Sequence, residues 1–196
     1  MKKSLLLSAV LFLSCTQIFA QTDNLSFFSR NNISFTSPGA MGYSLYGYDN
    51  PAFLSAYRGN DLTLFGAAPV KDANFSRWGF VSASPNFSFY FNEEKRSDRK
   101  INDYGLNFSV GDERFGIGAG YGWSNGERSF FGRQNFWQTG AFYRPVRQIS
   151  LSALGVYPEN SDLNEWVFSL AVRPTGNELV SGFFDYIVQK EDNPLK

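Results

Sequence analysis

Few of the residue types that carry out chemistry occur in this chain. It has no histidine, and its one cysteine, Cys15, lies within the first twenty residues. Nucleophilic catalysis by the common Ser–His or Cys–His pairs needs an imidazole or thiolate and is therefore excluded from the rest of the chain. A metal site would have to be built from carboxylates alone. Three stretches still invite a chemical reading. Glu93-Glu94-Lys95-Arg96-Ser97-Asp98-Arg99-Lys100 alternates charge and reads as a solvated loop rather than a cation or lipopolysaccharide site. Gly116, Gly118, Gly120 and Gly122 are spaced by two inside a strand-like segment with no helix after them, unlike a phosphate-binding loop. They read instead as lumen-facing positions that leave space or let the strand bend. Asp185, in Phe183-Phe184-Asp185-Tyr186, falls on the inward phase, where a charge tunes a pore, meets a partner's arginine or is simply hydrated. No catalytic, cofactor-binding or metal-binding residue is expected.

Composition narrows the class. Lys2 and Lys3, the apolar run Leu5–Leu13 and a small residue at Ala20 predict a signal peptide over residues 1–20, cleaved before Gln21. Phe12-Leu13-Ser14 is a poor lipobox, which leaves lipidation at Cys15 as the lesser alternative. Without Lys2 and Lys3, the 18 basic residues fall to 16 against 18 acidic ones, a net charge of −2. That balance does not suit nucleic-acid binding. Aromatic residues make up 18% of the chain, mean hydropathy is −0.27, and no apolar run after residue 20 is long enough for a membrane helix.

The elements that must position any site follow from periodicity. Residues 21–59 are irregular, with a turn at Ser37–Gly42 and a short helix over 49–57. Asn50 suits the N-cap, Pro51 the first turn, and Phe53, Leu54 and Tyr57 one face. From residue 60 to 190 the chain alternates with period two. Strands are expected at 61–67, 77–84, 86–92, 102–110, 114–123, 136–144, 148–157, 165–173 and 178–189. One phase is apolar (Phe87, Phe89, Phe91; Tyr104, Leu106, Phe108, Val110) and the other small or polar (Ser88, Asn107, Ser109, Ser150, Ser152, Ser169). The same alternation generates Asn-x-Ser triplets at Asn24, Asn32, Asn74, Asn86 and Asn107, which need no glycosylation to explain them. Tight turns are expected at 84–85, 111–113, 145–147 and 174–177, and long loops at 68–76, 93–101, 124–135 and 158–164. Residues 191–196 form a polar tail or loop start.

This pattern places Trp78, Trp123, Trp137 and Trp166 at the end of the strands that meets the long loops. Arg114, Arg144, Arg147 and Arg173 gather at the opposite end. An aromatic ring at one rim, apolar-out strands and unequal turns describe an outer-membrane β-barrel. In that reading the tryptophans form the membrane-interface girdle and the arginines a periplasmic rim that reaches lipid headgroups. A repeat of Ala141-Phe142-Tyr143-Arg144-Pro145 as Leu170-Ala171-Val172-Arg173-Pro174 favours a meander. The strand count is odd, and an open edge is not tolerated in lipid. Either an extra strand at Leu25–Phe35 closes the sheet, or the chain is the front of a longer protein, the preferred expectation.

Two resemblances sharpen this. Gly39-Ala40-Met41-Gly42 and the N-terminal motif Asn50-Pro51-Ala52, continued by Phe53-Leu54, resemble the start of FadL-like and PorV-like outer-membrane barrels, with Phe53 where the motif carries Gly. Residues 136–186, with Tyr143-Arg144-Pro145, Ile149-Ser150-Leu151 and Leu170-Ala171-Val172-Arg173-Pro174, are similar to the barrel-like region before the peptidase domain of some large S49 (signal-peptide-peptidase-like) proteins. The first resemblance implies passive transport of small or hydrophobic molecules. The second implies a barrel that precedes a Ser–Lys peptidase domain, and nothing in this chain matches that pair.

The expectation is thus all-β: an antiparallel up-and-down (meander) transmembrane β-barrel, or part of one, with a short N-terminal helix. It sits in the outer membrane after export and serves as a scaffold or anchor without catalysis of its own. Its partners are lipid and a periplasmic or surface protein, with no cofactor and no nucleic acid. FadL-like transport is the alternative, and a secreted β-sandwich adhesin a further one.

Overall fold

The computed structural model describes residues 47–67, 76–160, 164–176 and 180–189. The expected signal segment with Cys15, the turn at 37–42, the candidate strand at 25–35, most of the loop at 68–76, the tail at 191–196 and the triplets at Asn24, Asn32 and Asn74 lie outside the described residues.

The fold is all-β. Nine strands form one antiparallel sheet in strict chain order: β1 (Asp61–Ala67), β2 (Arg77–Ser84), β3 (Phe87–Arg96), β4 (Arg99–Gly111), β5 (Phe115–Gly126), β6 (Phe136–Val146), β7 (Ile149–Pro158), β8 (Glu165–Val172) and β9 (Gly182–Gln189). Among the described residues, β1 and β9 are the two edges, so the sheet is an open meander and not a closed barrel. Among the described residues two short helices accompany it, a 3-10 helix at Pro51–Ala56 and α1 at Arg128–Phe131.

The strands fall where period-two alternation placed them, with corrections at their ends; β5 runs on to Gly126, into the loop expected at 124–135. The connection expected as a long loop at 93–101 is a two-residue hairpin. β3 and β4 pair as far as Arg96 and Arg99, and Ser97 turns the chain at φ 53°. Alternating charge on both strands keeps this extension soluble while the backbone ladder continues. The turn expected at 145–147 lies at Arg147-Gln148, because Pro145 sits inside a register shift between Tyr143 and Val146. A bulge is one of the few strand positions that accommodate a residue lacking an amide hydrogen. The turn expected at 174–177 is the start of a longer connection, since β8 ends at Val172 and β9 begins at Gly182. Long and short connections therefore do not alternate strictly.

The 3-10 helix explains the curvature of the sheet. Asn50 caps it: its Oδ1 accepts from the Ala52 amide at 3.0 Å, and its Nδ2 donates to the Ala153 carbonyl in β7 at 3.3 Å. Pro51, which lacks an amide hydrogen, occupies the first helical position where none is required. At the other end the Asn86 amide, in the β2–β3 turn, donates to the Leu54 carbonyl at 3.3 Å. Four residues of 3-10 helix advance about 8 Å, whereas β3 to β7 laid flat would span about 19 Å. The sheet must curl around the helix for both contacts to exist, which defines an inner and an outer face.

Candidate functional site

The inner face is built around the helix seat. Phe53 stacks on Phe142 with ring centroids 4.7 Å apart, and Ala52 joins their buried cluster. The glycine series is what lets the helix in. A Cβ on Gly118 would come within 2.6 Å of the Ala52 amide nitrogen and of the Pro51 carbonyl carbon, and one on Gly116 would strike Ser55 and Phe142. Gly140 on β6 faces the Asn50 side chain in the same way. Residues 50–55 fill the space left by Gly116, Gly118 and Gly140, while Gly120 faces Asn107 and Gln138, and Gly122 faces Phe136 and Tyr90. Beside the seat, Gln138, Asn107 and Ser88 link β6, β4 and β3 by hydrogen bonds of 2.5 and 3.1 Å.

Above the helix, at the end where β2 begins and β3 finishes, the inner face carries ion pairs. Glu94, almost fully buried, pairs with Arg77 at 2.7 Å, Arg96 at 2.5 Å and Arg133 at 3.1 Å. Arg133 also reaches Asp103 at 3.3 Å, and Asp103 accepts from Ser124 at 2.7 Å and Asn92 at 3.2 Å. Helix α1 places Arg133. Gly132 ends the helix in the left-handed region, and the Arg133 amide donates back to the Arg128 carbonyl at 2.9 Å, turning the chain over the sheet. Arg99 and Arg96 lie over the Phe130 and Phe131 rings at 4.5 and 5.5 Å, holding α1 on the β3–β4 hairpin. On the outer side of that hairpin, Glu93 pairs with Lys95 at 3.1 Å and with Lys100. The stretch expected as a solvated loop is thus a folded, ion-paired hairpin with both glutamates buried. A cavity of about 50 Å³ lies among Tyr48, Tyr90, Asp103, Arg133 and Glu165.

The outer face is apolar from β1 to β9. Leu64, Phe108, Val110 and Phe115 are each more than half exposed, whereas Asn107, next to Phe108 but facing inward, is wholly buried. The four tryptophans all lie on this face in its upper half. They belong to a continuous belt. Trp78 meets Phe91 at 5.1 Å, Phe91 meets Tyr104 at 5.3 Å, and Tyr104 stacks on Trp123 at 5.5 Å. Trp123 stacks on Tyr121, and Tyr121 meets Trp137 at 4.7 Å. Trp137 stands opposite Tyr157 in the ladder, and Tyr157 meets Trp166 at 5.6 Å.

Arg114, Arg144, Arg147 and Arg173 lie at the lower end of the sheet. The Arg144 amide donates to the Arg114 carbonyl at 2.7 Å, and Arg144 Nη2 donates to the Arg147 carbonyl at 3.3 Å. Asp185 lies opposite Ser169 in the ladder, on the inward phase of the exposed edge strand β9. Sequence reasoning missed Glu94, Asp103, Ser124 and Arg133 as a group. Asp103 was legible as the inward phase of β4, but Ser124 fell in the loop expected at 124–135 and joins β5 only in the structure, and Arg133 follows an irregular segment with no period. Among the described residues, no three carboxylates gather as a metal site. Scans against protein-family models, curated proteins and solved structures each find no match.

Proposed function

We propose that this chain is a β-meander of the outer-membrane type, exported by its N-terminal signal, which acts as a scaffold or anchor in lipid and performs no catalysis itself. The observation that carries the reading is the aromatic belt that runs from Trp78 to Trp166 above a broad, exposed apolar face. Tyr and Trp favour the level where apolar chains meet water, because their rings are apolar and their N–H and O–H groups are polar. Strands of 7 to 13 residues bracket the roughly 9–11 that cross a bilayer at a tilt. A soluble sandwich would cover such a face with a second sheet, and the one sheet present carries its helix and polar network on the other side. That filled interior also favours a scaffold over an open solute path.

Fractionation of the native envelope tests the reading. The protein is expected in the outer-membrane fraction, extracted by detergent and not by salt or carbonate. Recovery in buffer without detergent would support the secreted sandwich instead. The intact mass of the extracted protein, and any protein that co-purifies with it, would show what the scaffold holds. Solute uptake by liposomes carrying the purified protein would revive FadL-like transport.

A further inference from the structure

The two edges of the sheet match each other. Nine strands in strict antiparallel order leave β1 and β9 running in the same direction, and among the described residues neither has a strand on its outer side. Both reach the level of the aromatic belt. Gly66 of β1 stands opposite Trp78 and Val188 of β9 opposite Trp166, the two ends of that belt. Both edges also turn apolar residues outward, Leu62 and Leu64 on β1 and Phe184, Tyr186 and Val188 on β9. The inward phase of β9 departs from the rest of the sheet. Val81, Tyr90, Leu154 and Val167 are buried on the inner face, whereas Phe183 and Ile187, on the same phase, are 41% and 45% exposed.

We propose that a second copy of this chain covers both edges, with β9 of each copy pairing in parallel with β1 of the other to close a ring of twice nine strands. The inference rests on the outer-membrane reading, because lipid is where a strand edge cannot be left unpaired. Closure of one copy on itself is opposed by its contents. About eight strands enclose room for side chains alone, and here residues 50–55 already lie against the inner face. Rotation about the ring axis keeps the loop ends of both copies on one side of the membrane, and the head-to-tail edges then meet as parallel strands. Edges of seven and eight residues, in a sheet about 10 Å thick, cover about 500 Å² on each copy. The total of about 1,000 Å² reaches what a stable interface needs. At each seam the belt continues from Trp166 and Val188 of one copy to Gly66 and Trp78 of the other. On the inner face, Phe183 and Ile187 join Phe65, which packs against Tyr48, Val81 and Tyr90.

The experiment uses the full protein extracted from the envelope in detergent. Native mass spectrometry should give two equal copies. The one cysteine, Cys15, lies in the expected signal segment, so introduced thiols report alone. Leu64→Cys is combined in turn with Phe184→Cys, Tyr186→Cys and Val188→Cys, all at exposed outward positions, and the thiols are oxidised. At least one pair should run as a linked dimer without reductant. Chains carrying Leu64→Cys alone should also link to chains carrying the matching β9 cysteine alone. A linked monomer would mean that β1 and β9 close within one chain, and no disulfide from any pair would mean that something else covers the edges. Either result overturns the ring, as does any native mass other than two equal copies. The membrane reading fails separately, through recovery of the protein in buffer without detergent.

Discussion

The two faces of this sheet are made by the same strands from alternate residues, yet they solve opposite problems. On β4, Asn107 is wholly buried and bonded to Ser88 and Gln138, while its neighbour Phe108 stands more than half exposed on the other side. Polar groups sit inside, where neighbours satisfy them, and apolar groups sit outside, where the described residues provide nothing to cover them. In water this inversion would be costly, since exposed apolar area is disfavoured by roughly 25 cal/mol per Å². In lipid it is the expected arrangement. The contrast teaches that the inner face is held by specific contacts, whereas the outer face needs only to be apolar.

The contrast can be broken first from the inside. Arg133→Ala should cost about 3–5 kcal/mol, because it leaves Glu94 and Asp103 buried with one cation fewer. Chemical denaturation of the detergent-folded protein measures this. The helix seat comes next. Phe53→Ala should cost about 3–4 kcal/mol through loss of the stack on Phe142, and Gly118→Val should unseat the helix without altering the strands. Unfolding midpoints together with protease access at residues 50–56 separate the two effects.

The outer face offers a sharper discrimination. Ala119→Lys, at an exposed outward position of β5, should cost about 2–4 kcal/mol if that face is in lipid and less than about 0.5 kcal/mol if it is in water. Smaller still is the belt. Trp137→Ala should lower the stability of the membrane-inserted form by about 1 kcal/mol and leave the inner network intact. The mildest effect is at the lower turn. The amides of Arg114 and Phe115 hold the exposed Asp112 carboxylate below its ordinary value. A depressed carboxylate contributes stability above its unfolded pKa of about 3.9 and loses it as pH falls through the lower folded value. Asp112→Asn should therefore flatten the acid limb of a stability–pH profile, with a small loss of stability at neutral pH and little change at acid pH.

Period-two alternation made the strands legible almost residue for residue, because on a sheet with two different environments each residue type reports its side. It failed where both phases carry charge. Glu93 and Glu94 look alike in the sequence, yet one faces outward to Lys95 and Lys100 and the other inward to Arg77 and Arg133. The motif Asn50-Pro51-Ala52 was legible as a helix start through its capping chemistry. Its seat was not, since pairing a glycine stripe with a helix some 65 residues earlier requires the fold. Arg133 had no periodic neighbour to reveal it. Arg144, Arg147 and Arg173 border one recess only once β6, β7 and β8 are side by side.

The central claim is that the belt marks the level where lipid meets water. The chain has four tryptophans, and all of them lie in the belt, so intrinsic fluorescence reads that level without labelling. The protein would be reconstituted into bilayers whose lipids carry quenchers at graded depths. The account predicts strong quenching by labels just below the headgroups and weak quenching by labels at the acyl termini. Quenching by aqueous acrylamide with none from lipid labels at any depth would contradict it.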